Sequence, residues 1–345
     1  MRTFTEFAAP TEDFISDNLI SNETSYLDVA GALAQHRGGV YLGVGPEQNF
    51  SYIALARPEL ALIVDLRRDN ALLHLLYKAI FSRARDRTEF LCLLVGRSCA
   101  RDVAPAADAS IEAVLDCVAK APRDRSQFER DHRVLADDSR VRPELRLSDA
   151  DFKAMQRMHH QFFERGLDIR FELKSKNGRN YPTLAELLRA HSPDGKYGSF
   201  LADESGFGFV RELERQDRVQ FAVGDFGKPE TLGRIAGELR RRGLVLRTFY
   251  TSNVEQYLFG SPAWMAWQAN LSAFPIDGES NLLRAYLDQG QRHPLQRHGQ
   301  RTASFMTPIG AWLECERLKP SKSYFATITR PECGNSSAVR VQADR

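Results

Sequence analysis

The sequence has no long apolar run, no surplus of either charge and no closely spaced cysteine pair. Each absence removes a class of protein. No stretch of the 345 residues approaches the roughly 18 consecutive apolar residues that span a bilayer, so no membrane partner is expected. The net charge is only +2, which gives no global attraction for nucleic acid or an anionic surface. The five cysteines (Cys92, Cys99, Cys117, Cys315 and Cys333) are scattered without a CxxC. That argues against a zinc site or a disulfide framework and predicts free thiols in a reducing, cytoplasmic setting. The opening residues, Met1-Arg2-Thr3-Phe4-Thr5-Glu6, lack a basic segment leading into an apolar one, so no secretory signal is read there. No metal site is expected either. His159 and His160 are neighbours about 100° apart on a helix, lack the H-E-x-x-H pattern, and read as surface histidines.

What is present is a strand, a glycine turn, a helix, a second strand and an acid. Val40 to Val44 is a short apolar run, Gly43 and Gly45 break it, and Gln48 to Ala56 has helical character. Leu60 to Val64 is a second apolar run that stops at Asp65, twenty residues after Gly45. This is the layout of a nucleotide-binding βαβ unit, in which glycines let the backbone approach a ligand and the acid accepts from ribose hydroxyls. A dinucleotide fingerprint has a third glycine where Gln48 stands. Glu47 adds a carboxylate in the first helical turn, which suits the helix dipole but repels a diphosphate. A ligand with ribose and cationic groups and no phosphate fits better, and S-adenosylmethionine is one. The plainer alternative is a strand–turn–helix whose glycines serve packing.

The rest of the chain divides into segments. Residues 1–37 read as helical around a polar break at Ile20-Ser21-Asn22-Glu23, with Thr11 placed to cap the first helix. Residues 38–96 form the first half of a Rossmann-like domain. Its third helix carries a polar stripe of Asn70, His74 and Lys78 that reads as more solvent-facing than catalytic. Its last helix is capped by Asp86 with Glu89 in capping-box spacing. Residues 97–195 are charged and dotted with proline, and read as a mostly helical insertion or cap. Over 196–330 the β-α alternation resumes: a strand ending at Asp203, a helix near 205–215, a strand over Val219 to Val223 ending at Gly224-Asp225, a helix over 229–242 and a strand over Leu244 to Tyr250. A helix near Asn281 to Asp288 and an edge strand at Ser323 to Thr329 complete the pattern, with residues 331–345 as a disordered tail. Alternation of this kind predicts an α/β fold with a doubly wound, mostly parallel sheet. Ligands then sit at the carboxyl ends of the strands, where Asp65, Asp203 and Asp225 all fall.

The segment Gly38 to Asn70, with Gly-Val-Gly-Pro-Glu-Gln-Asn-Phe and Ile-Val-Asp-Leu-Arg-Arg-Asp-Asn, resembles a poorly characterised bacterial group of the S-adenosylmethionine-dependent methyltransferase superfamily. Gly224-Asp225-Phe226, Tyr250-Thr251-Ser252-Asn253-Val254-Glu255-Gln256-Tyr257-Leu258-Phe259 and Ser21-Asn22-Glu23 with Tyr26 are similar to its other blocks. The resemblance covers about two thirds of the chain, excluding 97–180, and implies a class I methyltransferase-like fold. It implies that Gly43 and Gly45 lie under the methionine part of the cofactor and Asp65 holds the ribose. It also implies that Asp203 or its neighbours lie near adenine and that Gly224-Asp225 floor the methyl-transfer site. The long separation before the third strand departs from a minimal methyltransferase.

The substrate is expected to be a small molecule. No Asn/Asp-Pro-Pro-aromatic block follows the fourth strand, which removes the usual case for amino-methylation of flipped DNA bases. Asp225-Phe226-Gly227 copies a kinase triplet, without the H-R-D or V-A-I-K that would give it meaning. The substrate-side candidates are Asp225, Tyr250, Asn253 and Glu255, with the insertion as a lid. Glu255 suits a base or a cation holder, while Ser252 or Asn253 equally suits a helix cap with Gln256 in the capping box. Asn22-Glu23 reads as a cap or a lid contact, and Arg67 and Arg68 as anion binders or rim cover. Two other functions fit the pattern: a non-catalytic nucleoside-binding or scaffold protein, and an NAD(P)-dependent oxidoreductase, which Glu47 and Gln48 disfavour.

Overall fold

The computed structural model describes residues 18–100, 102, 104–140, 145, 147–173 and 179–334. A 3-10 turn, Tyr26–Val29, leads into α1 (Ala30–Gln35), β1 (Val40–Gly43), α2 (Gln48–Ala56), β2 (Leu60–Asp65), α3 (Arg68–Arg83) and α4 (Arg87–Val95). Then come α5 (Ile111–Lys120), α6 (Arg125–Arg140), α7 (Asp149–Arg165), α8 (Leu184–Leu188), α9 (Glu204–Arg215) and β3 (Val219–Val223). The chain continues with α10 (Pro229–Arg242), β4 (Leu246–Ser252), α11 (Val254–Leu258), α12 (Pro262–Ser272), β5 (Asn281–Leu287), β6 (Thr302–Pro308), α13 (Ile309–Leu318) and α14 (Tyr324–Thr329). Among the described residues no helix is long and apolar enough to cross a membrane.

The strands form a six-stranded sheet in the order β3-β2-β1-β4-β5-β6. β1 runs parallel to β2, with Val40 opposite Leu60 and Gly43 opposite Ile63, and parallel to β4, which is parallel to β5. Only β6 is antiparallel, on β5. The fold is therefore α/β with a mostly parallel sheet. Every residue of β1, β2 and β3 is buried, which is why these strands read as continuous apolar runs. The order of strands reverses between β1 and β4, the place where open α/β sheets bind ligands.

The chain gathers into two compact units. The first takes in Gly45–Ala54 and Asp65–Val223 with the described residues up to Asn22. Its core is aromatic: Phe50 meets Tyr77, Phe81 and Phe200 edge-on or tilted, and Phe81 meets Phe90 and Phe207. Helices α6 and α7 pack on α3, and α5 and α7 on α4, so the expected insertion shares one core with the helices before it. Arg87, 1 % exposed, donates to the carbonyls of Ala107, Ala109, Leu201 and Ala202, pinning two loops to the start of α4. The second unit takes in Glu23–Val44, Leu55–Val64 and the described residues from Gly224 on. There Trp267 stacks on Phe226 and lies edge-on to Phe249.

Several expectations change. Residues 198–203 are turns and bends, and Asp203 is the N-cap of α9, its carboxylate accepting from Gly206 N at 2.7 Å. Asn281–Leu287 is β5, a strand between β4 and β6 that carries the fully buried Arg284. Ser323 caps a helix, α14, where an edge strand was expected. Pro331–Cys333 is a 3-10 turn with Cys333 buried, so the tail is ordered through this point; residues 335–345 lie outside the described residues, as does Thr11. Asp86 caps α4 as expected, but Glu89 turns back to Arg85 N rather than to Asp86.

The cysteines and histidines change most. Cys92–Cys99 and Cys315–Cys333 are disulfides with Cα–Cα separations of 6.1 and 5.1 Å, which corrects the expectation of free thiols. Their sequence spacing carries no recognised signature, so only folding reveals the pairs. His159 is fully buried, and its Nδ1 lies 3.0 Å from His132 Nδ1. Its Nε2 faces the Leu93 carbonyl and must donate there, so His132 supplies the shared proton. His160 stays half-buried beside Glu129.

Candidate functional site

The glycine turn after β1 is the best-defined feature of the first unit. Gly45 has φ +83°, a left-handed conformation that strains any other residue, and nothing lies within 4 Å of where a Cβ would stand. Its carbonyl is a hub. Asn49 Nδ2 donates to it at 3.0 Å, Asn70 Nδ2 at 3.1 Å and His74 Nε2 at 2.9 Å. Because the next residue is Pro46, the following peptide has no N–H, and this carbonyl with its three donors is saturated. The turn therefore offers a ligand open space and no competing acceptor.

Asn70 and His74 are buried, not on a solvent-facing stripe. One helical turn apart on α3, they point inward because the Gly45 carbonyl and the ring of Phe221, stacked on His74, receive them. Burial pushes His74 down to about 4, so the ring is neutral at pH 7 and its proton sits on Nε2. His74 Nδ1 and Asn70 Oδ1 are buried with no hydrogen-bond partner among the described residues. The sequence shows the two as one stripe at a spacing of four, on a helix that follows directly from the acid-ended strand, but not that this stripe faces inward.

Glu47 and Asp65 both have partners of their own. Both carboxylate oxygens of Glu47 accept from Ser21 N, at 3.1 and 3.2 Å, and Ser21 Oγ bonds to Gln48. Asp65 Oδ1 accepts from Arg67 N at 2.8 Å and Oδ2 from the Arg67 guanidinium at 3.1 Å. Arg68 reaches a different acid: it pairs bidentately with Asp151, at 2.7 and 2.8 Å, and holds that carboxyl down to about 2. Of the two arginines beside the proposed ribose acid, one neutralises that acid and the other ties α3 to α7.

In the second unit β4 ends beside a buried acid. Glu23, 1 % exposed, accepts from Tyr250 OH at 2.9 Å and from Ser252 Oγ. Ser252 has φ +51°, an uncommon conformation for a non-glycine residue, at the carboxyl end of the strand. Asn253 is the N-cap position of α11 but makes no side-chain cap bond, so the capping alternative is not used there. Glu255 has different partners. Arg284 donates to both its oxygens, at 2.7 and 2.9 Å, and Trp267 Nε1 donates at 3.1 Å. The pair is fully buried, with the guanidinium 4.5 Å from the Trp312 ring centroid.

Gly224 and Asp225 also have structural tasks. A Cβ on Gly224 would stand 2.6 Å from Thr231, so glycine allows α10 to lie close against the backbone at this position. Asp225 accepts from Gly227 N at 2.7 Å and lies 3.5 Å from Lys228 Nζ. Asn270 holds the same loop by donating to the carbonyls of Phe226 and Lys228, both at 2.9 Å. The structure thus groups Gly45 with Asn49, Asn70 and His74, and Tyr250 with Glu23 and Ser252. Among the described residues no group of three His, Cys, Asp or Glu is arranged to hold a metal ion.

No curated protein matches the chain. A family model described as Domain of unknown function (DUF7790) matches residues 19–332, and the chain belongs to that family.

Proposed function

We propose that this protein binds S-adenosylmethionine in a class I methyltransferase-like fold and transfers its methyl group to a small molecule. The observation that carries the reading is the turn itself. β1 ends at Gly43, Gly45 adopts φ +83° with open space on its Cα, and β2 ends at the buried Asp65. The reversal of strand order at β1 and β4 supports a ligand at these carboxyl ends. The proposed cofactor contacts are Gly43, Gly45, Glu47, Asp65, Asp203 and Gly224. Glu47 and Asp203 already carry hydrogen bonds of their own, and Gly224 its packing against Thr231.

The residues of the first unit suit a nucleoside. Asp65 receives one N–H on each oxygen from Arg67, and a carboxylate has about four acceptor sites, so capacity remains for ribose hydroxyls. Saturation of the Gly45 carbonyl prevents it from competing for those hydroxyls. The unpartnered Asn70 Oδ1 and His74 Nδ1 are acceptors that suit an N–H donor. Glu47 disfavours a diphosphate, which keeps the NAD(P) alternative behind. The bound cofactor would supply an electrophilic methyl group on a sulfonium. The protein's task is then mainly to align the nucleophile, with a base needed only if that nucleophile arrives protonated. Asp225, Tyr250, Asn253 and Glu255 are the proposed substrate-side residues.

One observation favours a second reading, a nucleoside-binding protein without catalysis. Glu255 is locked to Arg284 and Trp267, and the Tyr250 hydroxyl donates a hydrogen bond to Glu23. Calorimetric titration with S-adenosylmethionine, S-adenosylhomocysteine and NAD tests the binding. A search for methylated product among small amines, acids and phenols separates transfer from binding alone.

A further inference from the structure

A cleft of about 630 Å³ in the first unit has an unusual wall. Cys99, Ala113, Asp116, Cys117, Lys120 and Pro122 contribute to it. Cys99 is already bonded to Cys92 of α4, whereas Cys117 is a thiol on α5. Three of the chain's five cysteines thus meet at one place, two of them lining the same half-open space.

Backbone pairing brings their two segments together. Arg97 forms an antiparallel bridge with Arg123, and Ser98 N donates to the Pro122 carbonyl at 3.0 Å. The bridge ends at that bond, and Ala121, the residue before Pro122, is the C-cap of α5. Cys117 lies one helical turn earlier, and Ala121 N donates to its carbonyl at 3.1 Å. One turn rises about 5.4 Å, so Cys117 stands roughly that far along α5 from Ala121. Both Cys99 and Cys117 are partly exposed at this wall, while Cys92 is 4 % exposed.

We propose that this cleft is a thiol–disulfide exchange site, at which the disulfide moves from Cys92–Cys99 to Cys99–Cys117. The Cys117 thiol gives its proton to solvent, and its sulfur attacks Cys99 Sγ in line with the Cys99–Cys92 bond. The Cys117–Cys99 bond forms and the Cys99–Cys92 bond breaks. The electron pair leaves on Cys92 Sγ, which takes a proton from solvent. One disulfide and one thiol are present before and after, so the step needs no oxidant or reductant. Its consequence is mechanical: the segment after α4 is released from that helix and stapled to α5.

Peptide mapping of the full chain tests this. The protein is held without reductant at about pH 8, sampled over time, blocked with N-ethylmaleimide in mild acid and digested with trypsin. Cleavage after Arg97 and Arg101 separates the three cysteines, so each linkage has its own mass. The expected result is a Cys99–Cys117 cross-linked pair that grows as the Cys92–Cys99 pair declines, with maleimide appearing on Cys92. The Cys117→Ser variant should keep the Cys92–Cys99 pair alone. A wild-type chain that retains only Cys92–Cys99 at all times overturns the proposal. So does one in which all three cysteines are blocked as thiols from the start.

Discussion

Replacing Glu255 by alanine separates the two roles this residue can have. Glu255 and Arg284 are fully buried, and the guanidinium gives its Nε and one terminal nitrogen to the carboxylate. Removing one partner of such a pair leaves an uncompensated buried charge, at a cost of about 3–5 kcal/mol. Trp267 Nε1 loses its acceptor as well, which costs about 1–3 kcal/mol when a buried donor goes unmade. The two losses share one network and do not simply add, so about 4 kcal/mol is expected. At 2–4 °C per kcal/mol for a unit of 150–250 residues, that is a fall in Tm of roughly 8–16 °C. Urea unfolding followed by tryptophan fluorescence reads it directly. The double change Glu255→Leu with Arg284→Met should recover most of the loss, because no buried charge then remains unpaired. A Glu255→Ala protein within about 1 kcal/mol of wild type would refute the structural role. If that protein also lost methyl transfer, Glu255 would be a base.

Other consequences follow from the same contacts. The folded-state values of His74 and His159 lie near 4 and 3, below the ordinary value, because burial disfavours their charged forms. Unfolded histidines titrate near 6.5, so their contribution to stability is complete above about pH 6.5 and declines as pH falls towards those folded values. The slope approaches 1.4 kcal/mol per pH unit for each. Denaturation curves between about pH 7 and 4.5 should show the decline, and His74→Gln should make it shallower. Arg87→Met leaves four carbonyls without their donor and should cost about 3 kcal/mol. Amide exchange over 104–109 should accelerate most. Gly45→Ala meets no neighbour but strains a left-handed φ, at about 1–2 kcal/mol. Its Cβ occupies the open space of the turn, so nucleoside affinity should fall more than stability.

The sequence was most legible where burial is complete. β1, β2 and β3 are buried at every position and therefore stand out as apolar runs. α10 announces itself by Pro229 in its first turn and Gly243 in the left-handed conformation after its last. β5 misled because Asn-Leu-Leu-Arg-Ala-Tyr-Leu places polar residues at helical spacing. Only the partner acid, 29 residues earlier in the chain, makes a buried arginine in a central strand tolerable. Residues 198–203 misled in the opposite direction, since Phe200 and Leu201 are buried without belonging to a strand, Phe200 N being received by Ser51 Oγ. At the site, the glycine turn and Asp65 were visible because backbone conformation constrains residue type. The inward direction of His74 was not, since a helix exposes or buries a polar stripe according to what packs on it. Glu23 was visible only as a polar residue at a break, and its partners Tyr250 and Ser252 lie more than 220 residues away.

The most direct test of the central claim is a calorimetric titration of the wild-type chain and its Asp65→Ala variant with S-adenosylmethionine, S-adenosylhomocysteine and NAD. The account predicts binding of one or both sulfur nucleosides and none of NAD. It also predicts weaker binding in a variant that still folds, by about 1.5–3 kcal/mol for each charge-assisted hydrogen bond lost. NAD binding without S-adenosylmethionine binding, or unchanged nucleoside affinity in a folded Asp65→Ala protein, would contradict it.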